Sequence, residues 1–272
     1  TVITNSWTQH AGNIYKTTLT EDVWQLFADG EMMIPARWPN ADPNTDFWEQ
    51  WESDHWAEGR AERNYGPDNP PWDTNGTMYD KPHSGIDLAA SGLNLSNAVV
   101  VLNVGSFRTG TSIVDWHVPG TNKFTYPPIT TGFKDKEHYY FVEGKLELLD
   151  AENEWFFDVA TSNLYVWVPG GGSPAGLEIK GKTTTYCLTA TDCDDLTVSG
   201  IDFFSGTFNL DGCLRARVEH GELTYPSTTK RMLRIIETPQ TTKVNSDFAE
   251  VYNCTFAYTD GHGITVGGDD AT

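Results

Sequence analysis

Between residues 196 and 266 the same order of apolar residues recurs, with loops of unequal length in between. Leu196, Ala216 and Ala249 correspond, as do Val198, Val218 and Val251, then Ile201, Gly221 and Cys254, then Phe203, Leu223 and Phe256. A second short strand follows each time: Phe208-x-Leu210, Leu233-x-Ile235 and Ile264-x-Val266. The repeat is 20 residues once and 33 residues the next time. Strand spacing that survives while loops vary is the signature of a solenoid. Each coil has too little apolar surface to fold alone, so it stacks on its neighbour about 4.8 Å away, strand on strand. The third coil is unfinished at Thr272, which leaves a strand edge and an apolar interior without cover. The expectation is that further coils complete it, on the remainder of a precursor, on a second polypeptide cut from it, or on a partner chain. A fragment of a longer polypeptide is the simpler alternative.

The rest of the chain also reads as β structure. Val, Ile, Thr, Phe and Tyr dominate the apolar runs "AVVVLNVGSF", "SIVDWHV", "HYYFVEGKLELL" and "GLEIKGKTTTYCLTA", and Gly, Asn and Asp separate them. Two hairpins stand out. Asp29-Gly30 is a two-residue turn between "VWQLFA" and "EMMIPARW", and "EWFFDVATSNLYVWVP" folds back on itself. Residues 41–90 differ: they are polar, Pro-rich and aromatic, with one short helix predicted over Phe47 to His55 and a long loop after it. The expected division is an N-terminal β region at 1–95 carrying that loop, and coils over 96–272.

Formal net charge is −20, which repels nucleic acid and anionic lipid, so neither is an expected partner. No apolar run approaches the length of a membrane-spanning helix. The chain begins at Thr1 without a leader, as a mature or trimmed chain would. A secreted or extracellular location fits, with the periplasm as an alternative. The four cysteines, Cys187, Cys193, Cys213 and Cys254, match no zinc spacing. Cys187 and Cys193 are close enough to close a small loop; free thiols are the other reading.

"LFADGEMMIPARWPN" (Leu26 to Asn40), "EWFFDVATSNLYVWVP" (Glu154 to Pro169) and "VYNCTFAYTDGHGITVGG" (Val251 to Gly268) resemble the secreted right-handed parallel β-helix proteins of polysaccharide breakdown, the pectate-lyase-like superfamily. The resemblance covers most of the chain except residues 41–90, and its motifs are structural ones. It implies an all-β chain: a right-handed parallel β-helix preceded by an irregular N-terminal β region with a long aromatic-rich loop. It also implies a polysaccharide in a groove along one sheet. No catalytic signature of that superfamily carries over residue by residue.

Candidate residues come instead from the repeat. Outward positions on successive coils form the rows Thr197/Arg217/Glu250, Ser199/Glu219/Tyr252 and Asp202/Glu222/Thr255. Asp202 and Glu222 are candidate carboxylates one coil apart, and glycoside hydrolysis needs two such groups. Arg217 and Tyr252 are candidate substrate contacts, although Arg217 beside Glu250 is most simply a surface ion pair. The corner "YTDGHGI" brings Tyr258, Asp260 and His262 together. Asp260 suits an acid or base role with His262 tuning it, and His262 or Tyr258 suits the base of an elimination. Asp269 and Asp270 offer oxygens to Ca²⁺, although a polar turn explains them equally, and no cofactor is required. Trp56 and Trp72 are candidate sugar-stacking residues; packing against the core is the commoner use of such rings.

Hydrolysis is favoured over β-elimination because no dense Lys/Arg/His groove is present to bind a uronate and stabilise its enolate. A non-catalytic carbohydrate-binding or adhesin β-helix is the reading from another class, and it predicts regular coils with short loops.

Overall fold

The computed structural model describes residues 1–41, 55–65, 74–105, 109–130, 132–226, 242–259 and 263–269. The short helix expected over Phe47 to His55 falls almost wholly outside them. Strands dominate the described residues, and none of the helices there is long and apolar enough to cross a membrane. The chain divides into two units: Val2–Asp22 with Leu26–Lys180, and Thr1, Val23–Gln25 and Gly181–Thr272.

The first unit is built of sheets that are almost wholly antiparallel. One runs in the order Thr8–Ala11, Ile14–Thr18, Asn163–Trp167, Glu154–Asp158, Ile34–Pro35, and only its last pairing is parallel. A larger sheet runs Gly110–Ile113, Val99–Asn103, His138–Glu143, Ala57–Arg63, Thr74–Lys81, Lys123–Thr125, Trp116–His117. Both contribute to one core, in which Met78, Leu102, Phe124, Tyr140, Val142 and Tyr165 meet. The two expected hairpins are present. Phe27 faces Met32 across an Asp29-Gly30 turn with both φ angles positive, and Phe156 faces Tyr165. The Val99–Asn103 and His138–Glu143 segments, expected in coils, pair antiparallel, and Glu154–Asp158 pairs antiparallel with Asn163–Trp167 and parallel only with Ile34–Pro35. Apolar, β-branched runs specify strands, but the pairing direction depends on which strands become neighbours.

Parallel pairing between successive repeats begins at Tyr186 and forms three sheets. Thr197–Ser199, Arg217–Glu219 and Glu250–Tyr252 make the first, with Val198 on Val218 on Val251. Phe203–Phe204, Glu222–Thr224 and Thr255–Ala257 make the second, with Phe203 on Leu223 on Phe256. The third joins Tyr186–Thr191, Thr207–Leu214, Thr242–Asp247 and Ile264–Gly267. Here the sequence expectation needs a correction: Leu210 pairs with Val244, not with the Leu233-x-Ile235 segment. The Leu-x-Ile alternation fits the pattern of the second strand, but the loop of this repeat is longer and the segment that pairs runs Thr242–Asp247. Leu233 and Ile235 lie outside the described residues.

Single residues in the left-handed region make the corners. Asp195, Arg215 and Phe248 form one such row, Gly200, His220 and Asn253 a second, and Ser205, Tyr225 and Tyr258 a third, all with positive φ. At the first two positions of each row the N–H still reaches the next repeat, as in Arg215 to Asp247 O (2.8 Å), His220 to Tyr252 O (3.2 Å) and Tyr225 to Ala257 O (3.0 Å). The backbone therefore bends sharply without losing its ladder. For residues other than glycine this conformation costs roughly 1–2 kcal/mol each, so the stacked neighbours must hold it.

All four cysteines are free, with Cys213 buried in the core of the parallel unit. The loop-closing Cys187–Cys193 disulfide is thus absent. The Cys187 thiol lies against Gly206, where an added Cβ would come within 2.2 Å of it, while Cys193 Sγ is 3.4 Å from Thr191 O.

Leu223, fully buried between Phe203 and Phe256, tests the interior stack. Leu223→Ala is expected to cost about 2–5 kcal/mol in denaturant unfolding. A second test concerns Glu154, buried in the antiparallel unit, whose carboxyl accepts from the N–H groups of Arg37, Asp150 and Ala151 at 3.3 Å. Burial, with the Asp150 charge adding to it, raises its pKa from 4.5 to about 8 against those hydrogen bonds. Across that window the folded chain holds a proton that the unfolded chain has released, so this group makes stability fall as pH rises. Glu154→Gln should flatten the stability profile between about pH 5 and pH 8, read by thermal unfolding across pH.

Candidate functional site

Alternation along each short strand turns one set of side chains inward and the next outward, so stacking creates outward rows as strictly as inward ones. On the first parallel sheet these rows bring Arg217, Glu219, Glu250 and Tyr252 onto one face. Arg217 is held by two carboxylates: Nε donates to Glu219 Oε2 at 2.6 Å, and Nη1 lies 3.0 Å from Glu250 Oε2. The Arg217 hydrogen bond holds Glu219 below the usual carboxylate range. Glu219 is therefore suited to a base or charge-stabilising role and not to proton donation.

The corner beside this face carries His220 and Asn253. Asn253 Nδ2 donates to His220 Nδ1 at 2.8 Å, which places the proton of the neutral ring on Nε2. The His220 ring meets Tyr252 edge-on at 5.5 Å, and Tyr252 is 57% exposed. The next corner stacks Tyr225 on Tyr258 at 4.7 Å with ring planes 14° apart, and Phe204 meets Tyr225 edge-on at 5.9 Å. His220 and Tyr225 were not singled out from the sequence. Their signal was there: each follows an aligned apolar position, Val218 or Leu223, by two residues.

Asp202 and Glu222 are neighbours on adjacent repeats, as the rows require, but one Asp202 oxygen accepts the Glu222 backbone N–H at 2.9 Å. That bond gives Asp202 a structural task at the corner. Tyr258 reaches the surface as the outer ring of the aromatic stack. Asp269 is exposed; its N–H donates to Asp247 Oδ1 at 2.9 Å and its carbonyl accepts from Phe248. Among the described residues no group of three or more potential metal-ligating side chains comes together. Asp260, His262, Trp72 and Asp270 lie outside the described residues.

Trp56 belongs to the antiparallel unit. Its ring meets Phe141 edge-on at 5.1 Å, and the Arg37 guanidinium sits 3.9 Å from the Phe141 ring and 5.7 Å from that of Trp56. Arg37 also donates to Pro39 O (2.9 Å) and to His55 O, and burial lowers its pKa to about 10. Trp56 is thus packed into a clasp that ties together the backbone on either side of residues 42–54.

No protein-family model and no curated protein matches the chain. Among solved structures, one named glycoside hydrolase superposes on 97% of this chain with a TM-score of 0.56 and 12% sequence identity. The likeness is one of fold. This chain spans 48% of that protein's length.

The Arg217–Glu219 bond is open to direct measurement. In Arg217→Gln the Glu219 carboxyl should titrate at higher pH than in the parent, back toward the usual range, as read by carboxyl ¹³C NMR; an unmoved titration would deny that Arg217 sets it.

Proposed function

We propose that the three parallel sheets are coils of a right-handed parallel β-helix, and that the protein is a polysaccharide-degrading enzyme, a glycoside hydrolase, acting outside the cell. The observation that carries this reading is the set of outward polar and aromatic rows repeated at the coil spacing, on a fold similar to that of a glycoside hydrolase. A polymer of sugars offers hydroxyls and apolar ring faces at regular intervals, and rows of Arg217/Glu250, Glu219/Tyr252 and His220/Asn253 complement such a ligand. Hydrolysis of this kind needs a carboxylate pair or an equivalent acid and base, and no metal. Glu219, held ionised, is the best described candidate for the base.

Elimination on a uronate is disfavoured by the state of Arg217. Its charge is shared between Glu219 and Glu250, which leaves it poorly placed to stabilise an enolate.

The reading includes further coils. Val198, Val218 and Leu223 are buried, whereas Val251, Phe256, Ile264 and Val266 in the last coil are only half-buried. An additional coil, on the remainder of a precursor or on a second polypeptide, would cover them and extend the groove.

The test is incubation with neutral, sulfated and uronate polysaccharides, following reducing ends and the ultraviolet absorbance of unsaturated uronates together. New reducing ends without new absorbance are expected. Both signals together would mean a lyase, and neither would leave a binding module. The expected loss on Tyr252→Ala is about 10-fold in polysaccharide affinity, equivalent to about 1.4 kcal/mol.

A further inference from the structure

The antiparallel unit contains a cleft of about 580 Å³ whose walls include Arg60, Glu62, Tyr65, Asn75, Tyr79 and Asp135. That volume is in the range of small-ligand sites, roughly 300–1,000 Å³. Two neighbouring strands build it. Ala57–Arg63 and Thr74–Lys81 pair antiparallel with Arg60 opposite Tyr79, and the register slips between Ala61 and Arg63. A slip of this kind is a bulge, which re-aims the extra side chain. Only Glu62 lies between the paired positions on the first strand, whereas Asn75, Gly76 and Thr77 lie between Thr74 and Met78 on the second, so the extra residues belong to Thr74–Lys81 and stand opposite Glu62. The Glu62 carboxylate accepts from Asn75 Nδ2 and hydrogen-bonds the Tyr79 hydroxyl, and that bond raises the phenol's pKa.

The remaining groups are arranged in the same paired manner. Arg60 Nη2 donates to Asp135, and the Arg63 guanidinium lies 5.7 Å from the ring of Tyr65, which is 84% exposed. Two arginines therefore balance two carboxylates, so the cleft is formally neutral in a chain of net charge −20. A charged ligand would unbalance this set or have to break the Arg60–Asp135 pair. A neutral polyol would do neither. Guanidinium has five donors and a carboxylate about four acceptor sites, so the bonds made here leave spare capacity for hydroxyls, which both donate and accept. Two tyrosine rings supply the apolar surface that the C–H face of a sugar ring needs.

We propose that this cleft binds a neutral saccharide segment, at a site separate from the outward face of the parallel sheets. The inference rests on the carbohydrate reading above and adds to it a second site and a ligand class. Tyr65 and Tyr79 carry the ring faces, and Arg60, Glu62 and Asn75 orient the hydroxyls.

Isothermal titration of the 272-residue chain with cellohexaose, xylohexaose, mannohexaose and trigalacturonate tests it. At least one neutral hexaose should bind, and Tyr79→Ala, Arg60→Gln and Tyr65→Ala should each weaken it about 10-fold. The Tyr65 ring and the Arg60 side chain are largely exposed, so those two variants should keep the parent's thermal midpoint and separate binding from folding. Undiminished hexaose affinity in all three variants, with loss in Tyr252→Ala, overturns the cleft and leaves the hydrolase reading intact. Binding of trigalacturonate alone, or of no hexaose, also overturns the cleft, and polysaccharide hydrolysis then judges the broader reading by itself.

Discussion

The parallel unit depends on hydrogen bonds that run from repeat to repeat without stopping at the bends. Within the strands these bonds are the ordinary ladder of a parallel sheet. At the corners they persist because one residue turns into the left-handed region and keeps its N–H aimed at the neighbouring repeat. Strain at Arg215, His220, Tyr225, Phe248 and Asn253 is tolerable only where neighbouring repeats over-determine the backbone. Stacking and bending are thus one constraint. It explains why the repeat keeps its register through loops of different length.

Once the backbone is locked in this way, the side chains have little freedom in where they fall. Val198, Val218 and Val251 must lie over one another inside, and Arg217 must lie beside Glu250 outside. Charge then organises the surface. Arg217 draws Glu219 into a short bond, Arg215 does the same for Asp195, and Asn245 and Lys243 together hold Asp211. In a chain with 18 Lys and Arg against 38 Asp and Glu, cations placed on the ladders separate carboxylates that would otherwise repel along each row. The polar rows available to a ligand are a product of this arrangement.

The antiparallel unit solves its problems differently. It buries Glu154 among backbone N–H groups and uses Arg37 to join the backbone on either side of residues 42–54 through Pro39 O and His55 O. Packing here places polar groups in apolar surroundings, where hydrogen bonds compensate for lost water. Its cleft lies beside a register slip at which Asn75, Gly76 and Thr77 stand opposite Glu62.

Several features were legible in the chain alone: the all-β character, the two hairpins and the aligned strand positions of the repeat. Each is local or periodic, since a Gly turn, an alternation or a repeat shows which side chains face inward whatever lies across from them. That is why Asp202 beside Glu222 and Arg217 beside Glu250 followed from spacing. Other features were decided by contacts distant in sequence. The antiparallel pairing of Val99–Asn103 with His138–Glu143, the place of Val244 over Leu210, the free thiols and the burial of Glu154 all depend on which segments become neighbours. The repeat determined which strands of the first two parallel sheets lie against one another; in the antiparallel unit only the tertiary structure decided the partners, because alternation within a single strand shows which side chains face inward and carries no information about the neighbouring strand.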